Sequence, residues 1–404
     1  MSKTNFGALL DENKLVWSRD LWHQARTKMF ITRYMGVGQN AMIQRITELT
    51  KSERGDRAVI TLIPDHDEDG IAGDSVLANN EVALTAQDDQ IVVDQLRQAH
   101  LNTGRMSDQK SIVNFREQAR DQLSYWIADR MDQLAFLVMS SKHFKYSNRG
   151  AERVGDQVAS GAGINTLAFN PLGDARLINP SPQRHVRVDG TNMTDGDVTA
   201  MQAGDTLGYR HIVLLQALAK DRYLRGVKGD GGSETFHLFI TPQAMATLKL
   251  DPDFLLNARH AGVRGSSNSL WAGGDSFQID GMMIHEYRHV FNTLGATAGT
   301  STNVGADYFK WGADADVDGV RGLLCGAQAL AFIDLGDGIW DERDHMDYGN
   351  TQGISYAKLF GMKKPVFENA KLSDSTDGTN YPDGATPRTG VEDYGVIAVD
   401  FTLF

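Results

Sequence analysis

The chain has 404 residues, 41% hydrophobic and 23% charged, an ordinary globular composition that allows a sizeable core and two or three folding units. A net charge of −12 argues against a surface that attracts nucleic acid as a whole, and a single cysteine, Cys325, excludes a disulfide framework and a cysteine-based zinc module. The longest apolar run, residues 134–139, is too short to span a membrane, and the first thirty residues lack the apolar core of a signal peptide, so no membrane partner is expected.

The amino-terminal part of the chain is basic, in contrast to the acidic whole. Residues 13–45 hold six Lys and Arg residues against one acid, Asp20. An acidic body with a basic arm indicates two faces with different partners, although a solvated helix face accounts for the charges equally well. Aromatic residues interleaved with basic ones either stack on nucleic acid or anchor an arm on its own core or on a neighbour. These aromatic residues are Trp17, Trp22, Phe30 and Tyr34.

A long acidic β-hairpin is predicted next. Residues 57–63 and 82–96 alternate as strands do, and the Asp-, Gly- and Asn-rich stretch 65–80 lies between them. The window 65–94 holds nine acids and no Lys or Arg. A hairpin this polar and this long cannot bury itself on its own core, so we expect it to lie on another molecule. The hairpin therefore favours a role in assembly over a role in catalysis.

One long helix is predicted directly after the hairpin, from Ser107 to Met139. Its length would be roughly 48 Å, about three times that of an average helix. Ser107 and Asp108 are suitable caps at its start. A single apolar stripe without heptad regularity predicts a spine for a flat domain rather than a coiled coil. The stripe consists of Ile112, Phe115, Ala119, Leu123, Trp126, Ile127, Met131, Leu134 and Val138.

The rest of the chain mixes short helices and strands. Residues 148–200 are rich in Gly, Asn, Asp and Pro, which predicts a loop-dominated stretch or a small inserted domain. Mixed elements without regular βαβ alternation predict an α+β fold. The elements predicted after residue 200 are a helix over 205–220 with Asp205 as its cap, a strand over 236–241, a helix opening at Pro242, a helix over 252–260, and extended chain over 277–291 and 394–404.

The string HEYRH at residues 285–289 matches the zincin pattern, in which two histidines one helical turn apart bind zinc and the glutamate is the base. Its flanks alternate as in a strand, where His285 and His289 would stand roughly 13 Å apart, too far to share one zinc ion. A strand with solvated side chains is therefore favoured. A zinc-dependent hydrolase using His285, Glu286 and His289 stays as the alternative from the enzyme class.

Two DxDxDG strings copy the first half of a calcium-binding loop, whose oxygen ligands suit a hard cation. The two sets are Asp65, Asp67 and Asp69, and Asp314, Asp316 and Asp318. The twelfth position, which should be a bidentate glutamate, holds Val76 in one and Cys325 in the other. Acidic turns are favoured over a calcium-binding surface protein, which stays as a further alternative. No other motif identifies a catalytic group, so neither enzymatic activity nor a cofactor is expected.

Six blocks of sequence carry a resemblance to a known family. They are the hairpin tip DGIAGDSVLANNEVAL with LRQAHLNTGRMSDQ, the helix NFREQARDQLSYWIADRMDQLAF, the strand–Pro–helix FHLFITPQAMATLKLDPDFLLNAR, MMIHEYRHV, RGLLCGAQALAF and EDYGVIAVDF. With these blocks in this order along the sequence, the chain resembles major capsid proteins of tailed bacteriophages, and more narrowly the N-four-like phage capsid family. The resemblance implies a Hong Kong 97-type fold.

The resemblance also implies a division of the chain and a role for it. The role is a structural, non-enzymatic major capsid protein of the virion, which assembles in the host bacterial cytoplasm as hexamers and pentamers into an icosahedral shell around double-stranded DNA. The implied parts are an N-arm over 1–52, an E-loop over 53–106, a P domain over 107–200 with its spine helix over 107–140 and the loop-rich or inserted segment 148–200, mainly A domain over 200–340, and a return to the P domain over 341–404.

Two departures from relatives shape the expected partners. The hairpin has no lysine between Lys51 and Lys110, so the Lys–Asn isopeptide of the fold's namesake is not expected from it. An E-loop near residue 53 leaves no room for a preceding scaffolding segment, so we expect a separate scaffolding protein or none, with a portal, a decoration protein and non-specific packaged DNA as further partners.

The acidic hairpin needs a basic surface on a neighbouring copy of the chain. The acidic contact candidates are Asp67, Asp69, Asp74 and Glu81. The basic candidates are Arg19, Arg26, Lys28 and Arg33 of the arm, together with Arg184 and Arg187 of the loop-rich stretch.

Overall fold

The structure is a computed structural model. It describes residues 11–46, 57–62, 86–106, 115–142, 146–151, 180–229, 232–261, 276–300, 309–346, 350–368 and 391–403, with short pieces at 71–73, 78, 81, 302 and 348. In this part of the chain, no helix has the length and apolarity needed to cross a membrane.

Helices and strands are mixed along the chain without regular βαβ alternation, which confirms the predicted α+β class. The helices with described bounds are α1 (Asp11–Lys28), α2 (Phe115–Met139), α3 (Tyr209–Asp221), α4 (Pro242–Leu250) and α5 (Pro252–Ala261). The strands are β1 (Met35–Gly36), β2 (Ile43–Ile46), β3 (Arg57–Leu62), β4 (Gln87–Val92), β5 (Asp94–Leu101), β6 (His185–Asp189), β7 (Asn192–Asp195), β8 (Val227–Lys228), β9 (Glu234–Ile240), β10 (Ser276–Ile279), β11 (Met282–Glu286), β12 (Gly319–Cys325), β13 (Leu330–Asp334), β14 (Ile339–Met346), β15 (Thr351–Lys363), β16 (Val366–Glu368), β17 (Val391–Asp393) and β18 (Val396–Thr402).

The larger sheet has eight strands in the order β10-β11-β9-β12-β18-β6-β7, with β8 also paired to β9. The pairs β9–β11 and β18–β6 are parallel, and the other described pairs of this sheet are antiparallel. The central strands β12 and β18 are buried at every residue. Strands buried on both faces read as continuous apolar runs, which is why RGLLC and VIAVDFT show no clean alternation.

The second sheet has six strands in the order β1-β2-β13-β15-β14, and β5 also pairs with β15. The strand β15 has 13 residues, and it pairs with β13 over residues 360–363, with β14 over 351–357 and with β5 over 353–360. The predicted hairpin forms a separate two-stranded sheet, β3–β4, in which Arg57 pairs with Val92 and Leu62 with Gln87. The hairpin arms are therefore confirmed, and most of the tip between them lies outside the described residues.

The carboxyl-terminal part of α2 is packed between the two sheets. The ring of Phe136 lies 5.6 Å from that of Phe239 on β9, and Cys325 Sγ lies 3.9 Å from Met139 Sδ. The same helix contacts β15 and β5 of the six-stranded sheet. A helix enclosed in this way must be apolar around its whole circumference, which accounts for the buried run 134–139.

The long helix predicted from Ser107 is confirmed over Phe115–Met139, 25 residues or about 37 Å. Residues 107–114, which include the predicted caps, lie outside the described part of the chain.

Local signals located the short helices but not every cap. Pro242 opens α4 as predicted, and the side chain of Thr241 accepts a hydrogen bond from the Ala244 amide. The cap predicted for the preceding helix was wrong, because α3 begins at Tyr209, whose amide donates to Asp251 Oδ2 at 2.6 Å. Asp205 instead accepts hydrogen bonds within the loop before the helix.

The HEYRH string begins in a strand, as its alternating flanks predicted. Strands β10 and β11 form an antiparallel hairpin whose turn residues Asp280 and Gly281 have φ values of 47° and 76°. Two successive positive φ values are typical of the tight turn that matches strand twist. His285 and Glu286 end β11, and His289 lies beyond it.

Part of the segment predicted as a loop or an insertion belongs to the main sheet. The hairpin β6–β7 joins the eight-stranded sheet through parallel pairing of β6 with β18. Residues 152–179 lie outside the described residues. The last strand, β18, lies between β12 and β6 in the eight-stranded sheet.

A buried ionic network links the centre of that sheet to α2. Arg321 on β12 faces Asp400 on β18 and donates from Nε and Nη2 to its two carboxylate oxygens, each at 2.8 Å. His185 Nε2 lies 2.6 Å from Asp400 Oδ2, and Arg321 Nη1 donates to the carbonyl oxygen of Ser140 just beyond α2. Burial alone would raise the pKa of Asp400, but Arg321 and His185 hold it well below its usual range.

Replacing Arg321 with Met is expected to lower the free energy of unfolding by about 3–5 kcal/mol, because Asp400 would be left charged and buried without its main partner. Chemical denaturation followed by circular dichroism measures the loss. The matched control Arg210→Met, on the exposed face of α3, is expected to change stability by no more than about 0.5 kcal/mol. Equal effects of the two substitutions would contradict the prediction.

Candidate assembly surface

The basic arm is anchored on its own subunit through α1. This helix packs on α2 and β14, and it buries Leu21, Trp22 and Ala25 against them. The ring of Trp17 lies 5.9 Å from that of Trp340 on β14. The aromatic residues of α1 therefore anchor the arm on the core.

The exposed side of α1 borders an open groove with a volume of about 900 Å³. The groove is lined by Arg19, Arg26 and the ionisable His23 of the arm. The acids Asp20 and Asp337 lie among them. Arg19 Nε is 3.2 Å from Asp337 Oδ2, yet the Arg19 side chain is 68% exposed. An ion pair this exposed contributes little to stability, so the guanidinium can still bind an acidic partner.

The structure does not place the four predicted basic residues together. Arg19 and Arg26 share the groove, whereas Lys28 is held against α2. Lys28 Nζ donates to Ser124 Oγ at 2.7 Å and lies 3.5 Å from the centre of the Tyr125 ring, and burial lowers its pKa. Arg33 is exposed after α1, outside the groove lining. The groove therefore rests on two of the four predicted residues.

Two further basic candidates are engaged inside the chain. Arg184 is 2% exposed and lies 3.7 Å from Glu392, and Arg187 pairs with Asp189 at 3.2 Å. Among the acidic candidates, Glu81 is exposed. The acidic candidates outside the described residues are Asp67, Asp69 and Asp74.

One carboxylate on the spine helix joins the arm to the eight-stranded sheet. Asp132 accepts hydrogen bonds from the backbone amides of Phe30 and Ile31, at 2.9 and 3.1 Å, and from the Tyr287 hydroxyl at 2.6 Å. The rings of Phe30 and Tyr287 stack with their centroids 4.0 Å apart. Burial raises the pKa of Asp132 despite these donors. Hydrogen bonds and ring stacking between the arm, α2 and the chain after β11 thus fix the point at which the arm leaves α1.

Two histidines extend this junction into the sheet. His285 Nε2 lies 2.9 Å from His237 Nδ1, and His285 Nδ1 lies 3.2 Å from the Tyr34 hydroxyl. The two imidazole rings are stacked beside Phe239. Burial lowers the pKa of both histidines. The pKa of His285 falls to about 4, mainly through burial and in part through the neighbouring His237 and Arg33.

The two histidines of the HEYRH string face different partners. His285 belongs to the junction with the arm, whereas His289 Nε2 lies 2.7 Å from Asp129 Oδ1 on α2. The hydrogen bond with His289 lowers the pKa of Asp129. Within the described residues, no three His, Cys, Asp or Glu side chains are grouped so as to hold a metal ion.

The second acidic string is a surface turn. Asp314 and Asp316 are exposed, and Asp318 Oδ2 accepts a hydrogen bond from Lys310 Nζ at 2.9 Å. The acids of the first string, Asp65, Asp67 and Asp69, lie outside the described residues.

The residues that hold the junctions together were missed by sequence reasoning. Asp132 interrupts the apolar stripe of α2, and Asp400 interrupts the apolar run of β18. A charged residue inside an apolar pattern indicates a buried pair, because an unpaired buried charge is costly. That signal could have located both acids, although it does not identify their partners.

Comparison with known proteins places the whole chain in one group. The family model described as phage capsid protein matches residues 8–401. The major capsid protein of Pseudomonas phage KPP25 is 46% identical over 399 residues, which cover 98% of this chain and 96% of that protein.

Solved capsid structures share the fold at low sequence identity. The capsid of Ralstonia phage GP4 aligns with a TM-score of 0.66 and 20% identity, covering 93% of this chain and 91% of that one. The capsid asymmetric unit of cyanophage Pam1 also has a TM-score of 0.66, with 16% identity, covering 100% and 96% of the two chains.

The histidine junction predicts acid sensitivity. The folded pKa of His285 is about 4 against an ordinary 6.5, so the unfolded chain binds more protons between these pH values and stability falls as the pH falls through this window. Between about pH 7 and about pH 5 this group alone should lower the free energy of unfolding by about 2 kcal/mol.

Denaturation of the His285→Gln variant at both pH values should show a smaller loss than the parent chain. The control His23→Gln replaces an exposed histidine of α1 and should keep the parent's pH dependence. An unchanged pH dependence in His285→Gln would contradict the prediction.

Proposed function

The chain belongs to the phage capsid protein family, and from this premise we propose how it builds a shell. It is a phage major capsid protein with the Hong Kong 97-type fold, a structural component of the virion that associates with itself. Neither the zinc-hydrolase nor the calcium-binding alternative is supported. The observation that carries the proposal is the 46% identity to a major capsid protein over 98% of the chain.

The subunits assemble as hexamers and pentamers into an icosahedral shell around double-stranded DNA. In this proposal residues 1–52 are the N-arm, residues 53–106 are the E-loop, and α2 is the spine of the P domain. The six-stranded sheet, which contacts α2 through β5 and β15, belongs to the P domain. The eight-stranded sheet forms the A domain, and the hydrogen bonds of β18 within that sheet support assigning it there as well.

The acidic E-loop binds the basic groove on α1 of a neighbouring subunit. Charge complementarity supports this pairing, since the hairpin window 65–94 holds nine acids and no Lys or Arg. Arg19 and Arg26 offer exposed guanidinium groups in a groove of about 900 Å³. Lys28 and Arg33 lie outside that groove and contribute less.

The further proposed partners are the packaged DNA and other proteins of the phage head. Packaged DNA contacts the basic arm without sequence preference, because only phosphate attraction is available to it. The overall charge of −12 keeps most of the surface from adhering to DNA. Assembly takes place in the host cytoplasm, a portal protein is a further partner, and a decoration protein can bind outside.

Electron microscopy of the full chain made in bacteria is expected to show closed shells or hexamers. The variant Asp67→Lys/Asp69→Lys should fold normally by circular dichroism but give about tenfold fewer particles, because like charges would then face each other at the groove. The additional reversal Arg19→Glu/Arg26→Glu should restore the yield.

The control for charge reversal is Asp314→Lys/Asp316→Lys, which changes exposed acids of the same sequence pattern elsewhere. This variant should assemble like the parent. Normal particle yield from Asp67→Lys/Asp69→Lys would refute the pairing, and the absence of any ordered assembly from the parent chain would refute the proposed function.

Mature particles should dissociate fully to single chains in denaturant, because the hairpin has no lysine between Lys51 and Lys110 to form an isopeptide. A denaturing gel is expected to show one band at 44.4 kDa. A ladder of covalent oligomers would contradict this expectation.

A further inference from the structure

The hairpin is seated on the body of its own subunit by one face. Along β3 and β4 the side chains alternate, and Ala58, Ile60 and Ile91 face inward, with 7%, 9% and 0% exposure. They pack in an apolar cluster with Phe367 and with residues of β2 and β13. We call this part of the hairpin, β3 and β4, the hairpin root.

A carboxylate stands in this inward face, where alternation calls for an apolar residue. Asp89 is 7% exposed, and its Oδ1 accepts a hydrogen bond from Lys363 Nζ at 2.5 Å. The same ammonium donates to the carbonyl oxygen of Gln90 at 3.0 Å, and the Val366 amide donates to Asp89 Oδ2 at 3.3 Å. The hairpin root is therefore tied to the end of β15 and the start of β16.

A glycine allows the root to approach the body this closely. A Cβ atom at Gly361 would stand 2.6 Å from the carbonyl oxygen of Val92 and 3.2 Å from Ile91 Cγ2. Contacts under about 3 Å force a neighbour to move, and here the nearest atom belongs to the backbone. The glycine is needed for space at the root, since its φ lies outside the left-handed region.

We propose that Asp89, Lys363 and Gly361 form a clip that sets the direction in which the hairpin leaves the subunit, and that they are positioning residues for shell assembly. The inference rests on the proposed role of residues 53–106 as the segment that reaches a neighbour. A buried ion pair with defined geometry gives orientation where an apolar contact alone would allow the hairpin to slide or tilt. The hairpin thus leaves the body at a fixed angle.

The test compares Lys363→Met and Gly361→Ala with the parent in the full chain. Hydrogen exchange is measured on the unassembled fraction, and particle yield is measured by gradient sedimentation and electron microscopy. Both variants should raise exchange in 57–62 and 87–92 by about tenfold or more, while exchange in β12 and β18 stays unchanged. Particle yield should fall in parallel.

Asp89→Asn removes the charge that pairs with Lys363 and turns one of the two accepting oxygens into an amide donor, so it should loosen the root as Lys363→Met does. One matched control separates positioning from general stability. Gly204→Ala adds a Cβ where no atom lies within 4 Å, and it should change neither measurement.

Unchanged exchange at the root in Lys363→Met would overturn the proposal, as would normal assembly despite a loosened root. A uniform rise of exchange across both sheets would also overturn it, because the residues would then serve overall stability only. If the tip variant Asp67→Lys/Asp69→Lys assembles normally while Lys363→Met does not, the groove pairing fails and the clip stands.

Discussion

The carboxylate of Asp132 joins parts of the chain that a shell subunit must hold in a fixed relation. It lies on the spine helix, accepts two backbone amides of the arm, and accepts the hydroxyl of Tyr287 from the chain leaving β11. Its partners in the arm are about a hundred residues earlier in the chain, and Tyr287 is 155 residues later. The path of the arm and the seating of the eight-stranded sheet both depend on this side chain, because in the described part of the chain Asp132 is the buried acceptor of those two amides.

Buried carboxylates also join distant parts of the chain near the end of β15, where three buried lysines each form an ion pair with an aspartate. Lys358 pairs with Asp334 of β13, Lys363 with Asp89 of the hairpin, and Lys364 with Asp393 of β17. A buried ion pair adds little net stability relative to apolar packing, but a mispaired one is strongly disfavoured. These pairs therefore select one arrangement of strands that come from distant parts of the chain. The subunit thus uses charge inside its core for register, and in the proposed shell it uses surface charge for assembly.

Local elements could be predicted because their signals are local. Pro242 marked the start of α4, the apolar stripe marked α2, and alternation marked both arms of the hairpin. Partners across the fold could not be predicted, because Lys363 and Asp89 are 274 residues apart and nothing near either one identifies the other. The cap assigned to Asp205 failed for the same reason, since Asp251, which lies between α4 and α5, fills that role. Among the predicted basic residues, Arg19 and Arg26 lie together because they are seven residues apart on one helix, α1. The burial of Arg184 could not be predicted, because it depends on strands that meet only in the folded chain.

The strand β4 runs through Val93 directly into β5, and β5 is paired with β15 over eight residues, from Asp94 opposite Phe360 to Leu101 opposite Gly353. In the proposed shell, a pull on the hairpin would therefore be transmitted through the backbone of Val93 to β5 and to its ladder with β15. The hairpin is thus continuous with the six-stranded sheet of its own subunit, and a load on it does not stop at the hairpin root.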